Sequence, residues 1–208
     1  MKIFYPFFII MIVINNENYD NNYVLNNVKQ EKEKLNEEDY NEFTKEELQN
    51  INNLSKYFKN NCPSLYEKLE NFEFLDSGGE SNVYKTNIKN SKNSCTLKLI
   101  INDKREKKKK NIDEIMISKK LKNKNIINFM LYRPINKESE CILMEHGTYG
   151  NLRHFLKKIL KRNNFTESML CYISFQILNG LKYLQNYKIV HYDIKPENII
   201  IDNILILK

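Results

Sequence analysis

One stretch near the end of the sequence decides how the rest is interpreted: His191-Tyr192-Asp193-Ile194-Lys195-Pro196-Glu197-Asn198. It follows a long helical pattern and precedes the apolar run Ile199-Ile200-Ile201. A carboxylate, an ammonium and a carboxamide therefore share one tight turn. A carboxylate can orient a hydroxyl and accept its proton, an ammonium neutralises phosphate oxygens, and an amide oxygen ligates a hard cation. This combination predicts phosphoryl-transfer chemistry rather than a plain polar loop between a helix and a strand.

The same stretch resembles the catalytic loop of the eukaryotic protein kinase superfamily, which reads H-R-D-x-K-x-x-N. The resemblance implies that Asp193 accepts the substrate hydroxyl proton, that Lys195 serves the phosphate, and that Asn198 ligates magnesium. The lysine two residues after the aspartate is typical of serine/threonine kinases. Tyr192 replaces the arginine that pairs with an activation-loop phosphate, and a phenol lacks that bidentate geometry. Control by activation-loop phosphorylation is therefore not predicted.

A partly matching phosphate loop lies upstream, where residues 72–85 alternate like two strands around a glycine-containing turn. It resembles the kinase loop G-x-G-x-x-G-x-V. The family's glycines fall on Asp76, Gly78 and Ser81, so only the central glycine is kept. Gly78 can let backbone amides approach a phosphate. Asp76 opposes this, since two like charges about 6 Å apart in water repel by about 0.7 kcal/mol, which would weaken ATP binding without preventing it.

Further motifs follow at the family's distances. The strand-like Cys95-Thr96-Leu97-Lys98 resembles V-A-I-K, whose lysine holds the α- and β-phosphates, and a predicted C helix over residues 111–123 supplies Glu114 as its ion-pair partner. Glu140 to Gly147 resembles the strand and hinge beside adenine. The resemblance thus implies ATP binding by Leu75, Gly78, Val83, Thr96, Lys98, Glu114, Met144, Glu145, Gly147 and Ile200.

The expected fold class is α+β, a bilobal kinase-like fold with a complete small lobe and only the first part of the helical large lobe. The small lobe is expected to combine an antiparallel sheet with the C helix. The predicted divisions are an apolar segment 1–14, an Asn/Glu/Lys-rich disordered linker 15–42, a helical extension 43–70 and a partial kinase domain 71–208. That domain divides into a small lobe 71–144, a hinge 145–150 and the start of the large lobe 151–208.

Helix beginnings can be predicted from capping residues, among them Thr44, Ser64, Asn151 and Thr166. Thr44 and Glu47 form a capping-box pattern at the start of the extension. Thr166 caps a longer helix in the large lobe. Its predicted core face is the apolar set Leu170, Ile173, Ile177, Leu181 and Leu184.

The sequence ends before a D-F-G motif, the motif whose aspartate also holds magnesium in kinases. It is therefore predicted to be the N-terminal part of an ATP- and Mg²⁺-dependent serine/threonine kinase acting on protein hydroxyls. A different class stays open: a truncated pseudokinase that binds nucleotide or acts as a scaffold. No oligomeric state is predicted.

Charge and cysteine content limit which partners and sites can be predicted. A net charge of +7 favours acidic partners without choosing among them, and the basic run 104–110 is interpreted as a solvated loop. No specific nucleic-acid partner is therefore predicted. The four cysteines are scattered without a C-x-x-C pair, so a zinc site is not predicted and reduced thiols in an intracellular, cytoplasmic protein are expected.

The apolar segment 1–14 keeps three interpretations open. It is shorter than the roughly 20 residues of a membrane-spanning helix, and no small-residue cleavage site follows it. It is an uncleaved membrane signal, a cleaved signal with a poor site, or an apolar strand or gene-model artefact. Membrane association through these residues is the alternative to a cytoplasmic location.

Overall fold

The computed structural model describes residues 12–14, 44–79, 81–91, 93–101, 117–161 and 165–202. The linker 15–42, the basic run 104–110 and Glu114 lie outside the described residues. The described elements, in chain order, are β1 (Ile12–Ile14), a first 3-10 helix (Glu47–Gln49), α1 (Ile51–Asn61), α2 (Pro63–Tyr66), β2 (Leu69–Ser77), β3 (Ser81–Ile88), β4 (Ser94–Ile101), β5 (Phe129–Pro134), β6 (Ser139–Glu145), α3 (Leu152–Leu160), α4 (Glu167–Asn186), a second 3-10 helix (Pro196–Asn198) and β7 (Ile199–Ile201).

The chain divides into two units. The sheet unit contains the described parts of Tyr23–Asn111 and Phe129–Glu145, and the helical unit contains the described parts of Met1–Asn22, Ile112–Asn128 and His146–Lys208. Five strands of the sheet unit form an antiparallel sheet in the order β2-β3-β4-β6-β5. This sheet and the helices of the other unit confirm the predicted α+β class.

The helical extension covers one face of the sheet. Asn50 caps α1, since its side chain accepts a hydrogen bond from the backbone amide of Asn52 at 2.9 Å. Leu54 and Phe58, one helical turn apart, are fully buried and pack in the same apolar cluster as Leu97 of β4. Burying a side chain of this size contributes on the order of 1.5–3 kcal/mol. The extension is therefore part of the core of the sheet unit.

The predicted capping box at the start of the extension is confirmed. The backbone amide of Thr44 donates to Glu47 Oε2 at 2.7 Å, and the backbone amide of Glu47 donates to Thr44 Oγ1 at 3.2 Å. The hydrogen bond from the Thr44 backbone amide, with the Thr44 side chain as a second cause, holds the pKa of the Glu47 carboxyl below its usual value. The reciprocal bonds fix the beginning of the extension beside the sheet edge.

The core face of α4 differs by part of a turn from the predicted one. Thr166 caps the helix as predicted, accepting a hydrogen bond from the backbone amide of Met169 at 3.2 Å. Leu170 is half exposed, so its predicted place in the core is wrong, and Met169 is buried instead. A buried polar side chain accounts for this difference. Gln176 lies on the core side of the helix, where it accepts a hydrogen bond from Asn125.

The N-terminal segment contributes one strand to the helical unit. Ile12–Ile14 pairs in parallel with β7, with Ile12 opposite Ile199. For these three residues the structure agrees with the strand interpretation. Among the described residues, no helix combines the length and the apolar character needed to cross a membrane. Membrane association through residues 1–14 stays a prediction.

Candidate active site

The three predicted catalytic residues come together in the helical unit, in the loop between α4 and β7. Lys195 Nζ lies 2.9 Å from Asp193 Oδ2. The side-chain amide of Asn198 donates to both the backbone carbonyl, at 2.9 Å, and the carboxylate of Asp193. The carboxylate is therefore held by an ammonium and an amide, and its side chain keeps 25% of its surface exposed to solvent.

The backbone of the loop turns sharply before the aspartate. Tyr192 adopts φ 61°, a left-handed conformation that residues other than glycine rarely adopt. The amide of Asp193 then donates back to the carbonyl of His191 at 2.9 Å, and the His191 side chain is buried. Buried His191 fixes the base of the turn, while the Tyr192 ring is half exposed.

Asn198 is suited to holding a divalent cation. Its side chain is buried at the end of the second 3-10 helix, and its backbone amide donates to the carbonyl of Lys195 at 2.9 Å. Both of its side-chain hydrogen bonds to Asp193 use the amide nitrogen, so the carboxamide oxygen is the atom that could ligate a cation. An amide oxygen next to a carboxylate is a ligand set that Mg²⁺ accepts, so these residues fit the metal that the family uses.

An ion pair ties the catalytic loop to α3. Arg153 Nε lies 2.6 Å from Glu197 Oε1. Asn151 caps α3, its side chain accepting a hydrogen bond from the backbone amide of His154 at 2.9 Å. Because both charged side chains are substantially exposed, the pair contributes at most about 1 kcal/mol. It orients the loop more than it stabilises the fold.

Two predicted adenine-site residues meet in the helical unit. A Cβ on Gly147 would lie 2.1 Å from Cγ2 of Ile200, so this close approach requires glycine. The amide of Tyr149 donates to the carbonyl of Ile201 at 2.9 Å, and the amide of Ile201 donates to the carbonyl of Gly150 at 2.8 Å. The segment after β6 is thereby fixed against β7.

The sheet unit brings together another set of predicted ATP-binding residues. Strand register places Val83 opposite Lys98, and Thr96 opposite Met144. Directly paired residues point to the same face, and Val83 and Lys98 alternate with Tyr84 and Leu97, which are buried under the extension. Lys98, Val83, Thr96 and Met144 therefore share the face that the extension does not cover.

The remaining predicted residues of this unit lie at its rim. Leu75 of β2 is 40% exposed, and Glu145 ends β6 opposite Cys95. Gly78 follows β2, and its amide donates to the carbonyl of Ser81 at 2.8 Å, which closes the glycine-rich turn. Asp76, expected to oppose a phosphate, accepts a hydrogen bond from the backbone amide of Ser77 at 2.8 Å. Its carboxylate thus has a local partner.

Residues 69–208 match the family model described as the protein kinase domain. The chain belongs to the protein kinase family. This confirms the predicted family and agrees with the fold class.

Curated relatives give the same family. The serine/threonine-protein kinase CLA4 of Candida albicans is 29% identical over 178 residues, covering 84% of this chain and 17% of the relative. The serine/threonine-protein kinase tousled-like 2 of Xenopus tropicalis is 31% identical over 166 residues, covering 76% of this chain and 23% of the relative. The MAP kinase kinase MKK1/SSP32 of Saccharomyces cerevisiae is 28% identical over 143 residues, covering 67% of this chain and 28% of the relative. The chain thus spans less than a third of the length of each of these proteins.

The glycine-rich turn has contacts that the sequence did not predict. Lys45 Nζ donates to the carbonyl of Gly78 and, at 3.3 Å, to that of Gly79. Fully buried Asn82 donates to the backbone carbonyl of Lys45 at 2.7 Å and accepts from Ser77 Oγ at 2.8 Å. No motif marks the contacts of Lys45, because its partners Gly78, Gly79 and Asn82 lie 33 to 37 positions away in sequence.

A buried tyrosine adds a second connection between the five-stranded sheet and the extension. The hydroxyl of Tyr84 donates to the carbonyl of Leu48 at 2.7 Å. Burial raises the pKa of Tyr84 to about 12. Burial likewise raises the pKa of the Cys95 thiol to about 12, which makes this cysteine a core residue and not a nucleophile.

Proposed function

We propose that this chain carries the nucleotide-binding and catalytic-loop part of an ATP-dependent protein serine/threonine kinase. The reaction is transfer of the γ-phosphoryl group of Mg-ATP to a serine or threonine hydroxyl of a protein substrate. The observation that carries the proposal is the mutual contact of Asp193, Lys195 and Asn198. Membership of the protein kinase family and relatives named as serine/threonine kinases support it.

In this proposal Asp193 orients the substrate hydroxyl and accepts its proton. The partly exposed carboxylate can reach a substrate, while Lys195 and Asn198 restrict its rotation. A positioned general base of this kind contributes about 10²- to 10⁴-fold to a rate. The ammonium of Lys195 lies beside the carboxylate, where it can also neutralise charge that develops on a transferring phosphate.

Nucleotide binding is assigned to both sets of predicted residues. In the sheet unit, Lys98 would pair with phosphates, and Val83 and Thr96 would pack against adenine with Met144 beside them. Leu75, Gly78 and Glu145 would contribute from the rim. In the helical unit, Gly147 and Ile200 would contribute the other apolar contacts. Glu114 is kept as the proposed partner of Lys98.

Magnesium would be held in part by the carboxamide oxygen of Asn198. When bound, the metal neutralises the negative charge of the nucleotide phosphates. The contribution of this chain is to keep that oxygen correctly directed, because the amide nitrogen of the same side chain is fixed on Asp193.

The proposal can be tested by transfer of labelled γ-phosphate from Mg-ATP to a mixed set of protein acceptors, followed by phosphoamino-acid analysis. Asp193→Asn keeps the size and the contact with Asn198 but removes the base, so transfer to serine and threonine should fall by about 10²- to 10⁴-fold. Thermal unfolding should change little. The matched control is Glu138→Gln, which removes the charge of an exposed carboxylate in the turn between β5 and β6. It should transfer phosphate at the parent rate. Equal transfer by the Asp193→Asn variant would contradict the proposed role.

A second candidate, a pseudokinase that binds nucleotide without transferring phosphate, is favoured by two departures from the family pattern. Asp76 and Ser81 replace glycines of the phosphate loop, and Tyr192 replaces the arginine before Asp193. The same assay separates the two candidates when ATP binding is measured in parallel. Tight Mg-ATP binding with transfer at the level of the Asp193→Asn variant would support the pseudokinase.

A further inference from the structure

The glycine-rich turn of this kinase is held by an ammonium from outside the sheet. Lys45, in the extension, donates through Nζ to the carbonyls of Gly78 and Gly79. Both glycines are exposed, and a Cβ on Gly79 would meet nothing within 4 Å. Packing therefore does not fix the turn, so its conformation depends on the hydrogen bonds it makes.

Lys45 is itself firmly placed. Its backbone carbonyl accepts from Asn82, which is fully buried at the start of β3. The flanking Thr44 and Glu47 form the capping box, and Leu48 is buried in the core. The ammonium thus extends from a rigid base to the turn, rather than from a loose terminus.

The bond to Gly78 also sets the direction of an amide. In a planar trans peptide the C=O and N–H groups point in opposite directions. Since the carbonyl of Gly78 faces the Lys45 ammonium, the N–H of Gly79 points away from that ammonium. A backbone amide whose direction is fixed in this way is the kind of donor that can cradle a nucleotide phosphate.

We propose that Lys45 is a positioning residue for nucleotide binding: its ammonium fixes the Gly78–Gly79 peptide, so the extension sets the phosphate affinity of the glycine-rich turn. This inference rests on the proposed function, since it assigns the turn to nucleotide phosphates. It also explains how a turn with one of the family's glycines remains ordered for binding. Pre-organisation of a binding loop raises affinity because less ordering is needed on binding.

The test compares Lys45→Ala and Lys45→Arg with Lys59→Ala, which removes the same charge from an exposed position of α1. Dissociation constants of Mg-ATP and of adenosine are measured by calorimetry, and hydrogen exchange of the turn is followed by mass spectrometry. Lys45→Ala should weaken Mg-ATP binding about tenfold, as expected when a hydrogen bond from a charged group is lost. Adenosine affinity should stay at the parent value, because adenosine has no phosphate. The turn should exchange faster.

The control variants decide the interpretation. Lys45→Arg, which keeps donors for the two carbonyls, should restore most of the ATP affinity, and Lys59→Ala should match the parent. Parent-like ATP binding by Lys45→Ala, or equal weakening of ATP and adenosine binding, would contradict the proposed role of Lys45. Neither result would contradict the proposed function. Failure of the parent chain to bind Mg-ATP would instead overturn the proposed function, and with it this inference.

Discussion

The catalytic loop, His191 to Asn198, is cross-linked by its own side chains, whereas the glycine-rich turn around Gly78 is held by residues far away in sequence. In the catalytic loop, Asn198 reaches back five positions to Asp193. At the glycine-rich turn, Lys45 reaches forward 33 positions to Gly78. One loop is organised locally and the other depends on the packing of the extension.

This difference matters for how each loop responds to change. A locally cross-linked loop keeps its geometry as long as its own residues are present. A loop held through tertiary contacts transmits changes in the element that holds it. In this protein, binding at the glycine-rich turn is expected to be adjustable through the extension, while the catalytic loop is expected to respond mainly to substitutions within itself and to loss of its ion pair with Arg153.

The largest expected effect comes from breaking the side-chain contacts within the catalytic loop. Asn198→Ala removes both the amide that holds Asp193 and the proposed magnesium ligand, so phosphate transfer should fall by at least about 10- to 100-fold, the scale of a lost hydrogen bond to a charged group. Transfer from Mg-ATP is the measurement, with Glu138→Gln as the control. Hydrogen exchange at Gly78 and Gly79 should not change, and accelerated exchange there would show that the two loops are not independent.

A smaller effect is expected from breaking the hydrogen bonds that connect the extension to the glycine-rich turn. Asn82→Ala removes a fully buried side chain that bonds both the carbonyl of Lys45 and the hydroxyl of Ser77. Leaving these partners unsatisfied should lower the free energy of unfolding by about 1–3 kcal/mol, measured in urea.

Exposed Asn52→Ala in α1 is the control for that measurement and should change stability by less than about 0.5 kcal/mol. The Asn82→Ala variant should also loosen the glycine-rich turn in hydrogen exchange. A variant as stable as the parent, with unchanged hydrogen exchange of the glycine-rich turn, would show that Asn82 does not help to hold that turn.

The smallest effect concerns how alkaline pH weakens the contact between the sheet and the extension. Tyr84→Phe loses the bond to the Leu48 carbonyl, about 1 kcal/mol of stability near neutral pH. The pKa of Tyr84 is raised to about 12 by burial, so the unfolded chain releases this proton at lower pH than the folded chain. Unfolding free energy should therefore fall as the pH rises from about 10 to about 12, and the phenylalanine variant should lack that part of the fall.

Chemical denaturation at a series of pH values measures this difference. Tyr149→Phe, at an exposed tyrosine, is the control and should keep the parent profile. An alkaline fall of unchanged size in Tyr84→Phe would mean that Tyr84 ionises in the folded state without cost.

The sequence predicted the family, the fold class and the placing of Asp193, Lys195 and Asn198 on one turn, because each rests on residues close together in the chain. It predicted a strand around Thr96 and Lys98, while their pairing with Met144 and Val83 came from the structure. It failed at Leu170, where apolar spacing indicated the core but buried Gln176 rotated the helix face through its bond to Asn125. Spacing counts apolar side chains and cannot anticipate a polar residue that is buried with a partner.

By itself, then, the sequence determined the family to which this protein belongs and placed Asp193, Lys195 and Asn198 close together, since they lie within six residues of one another. Only the tertiary structure decided what holds the glycine-rich turn. The ammonium of Lys45 reaches Gly78 because Leu54 and Phe58 bury the extension against the sheet. That contact is set by packing between elements distant in sequence, and no local pattern of residues encodes it.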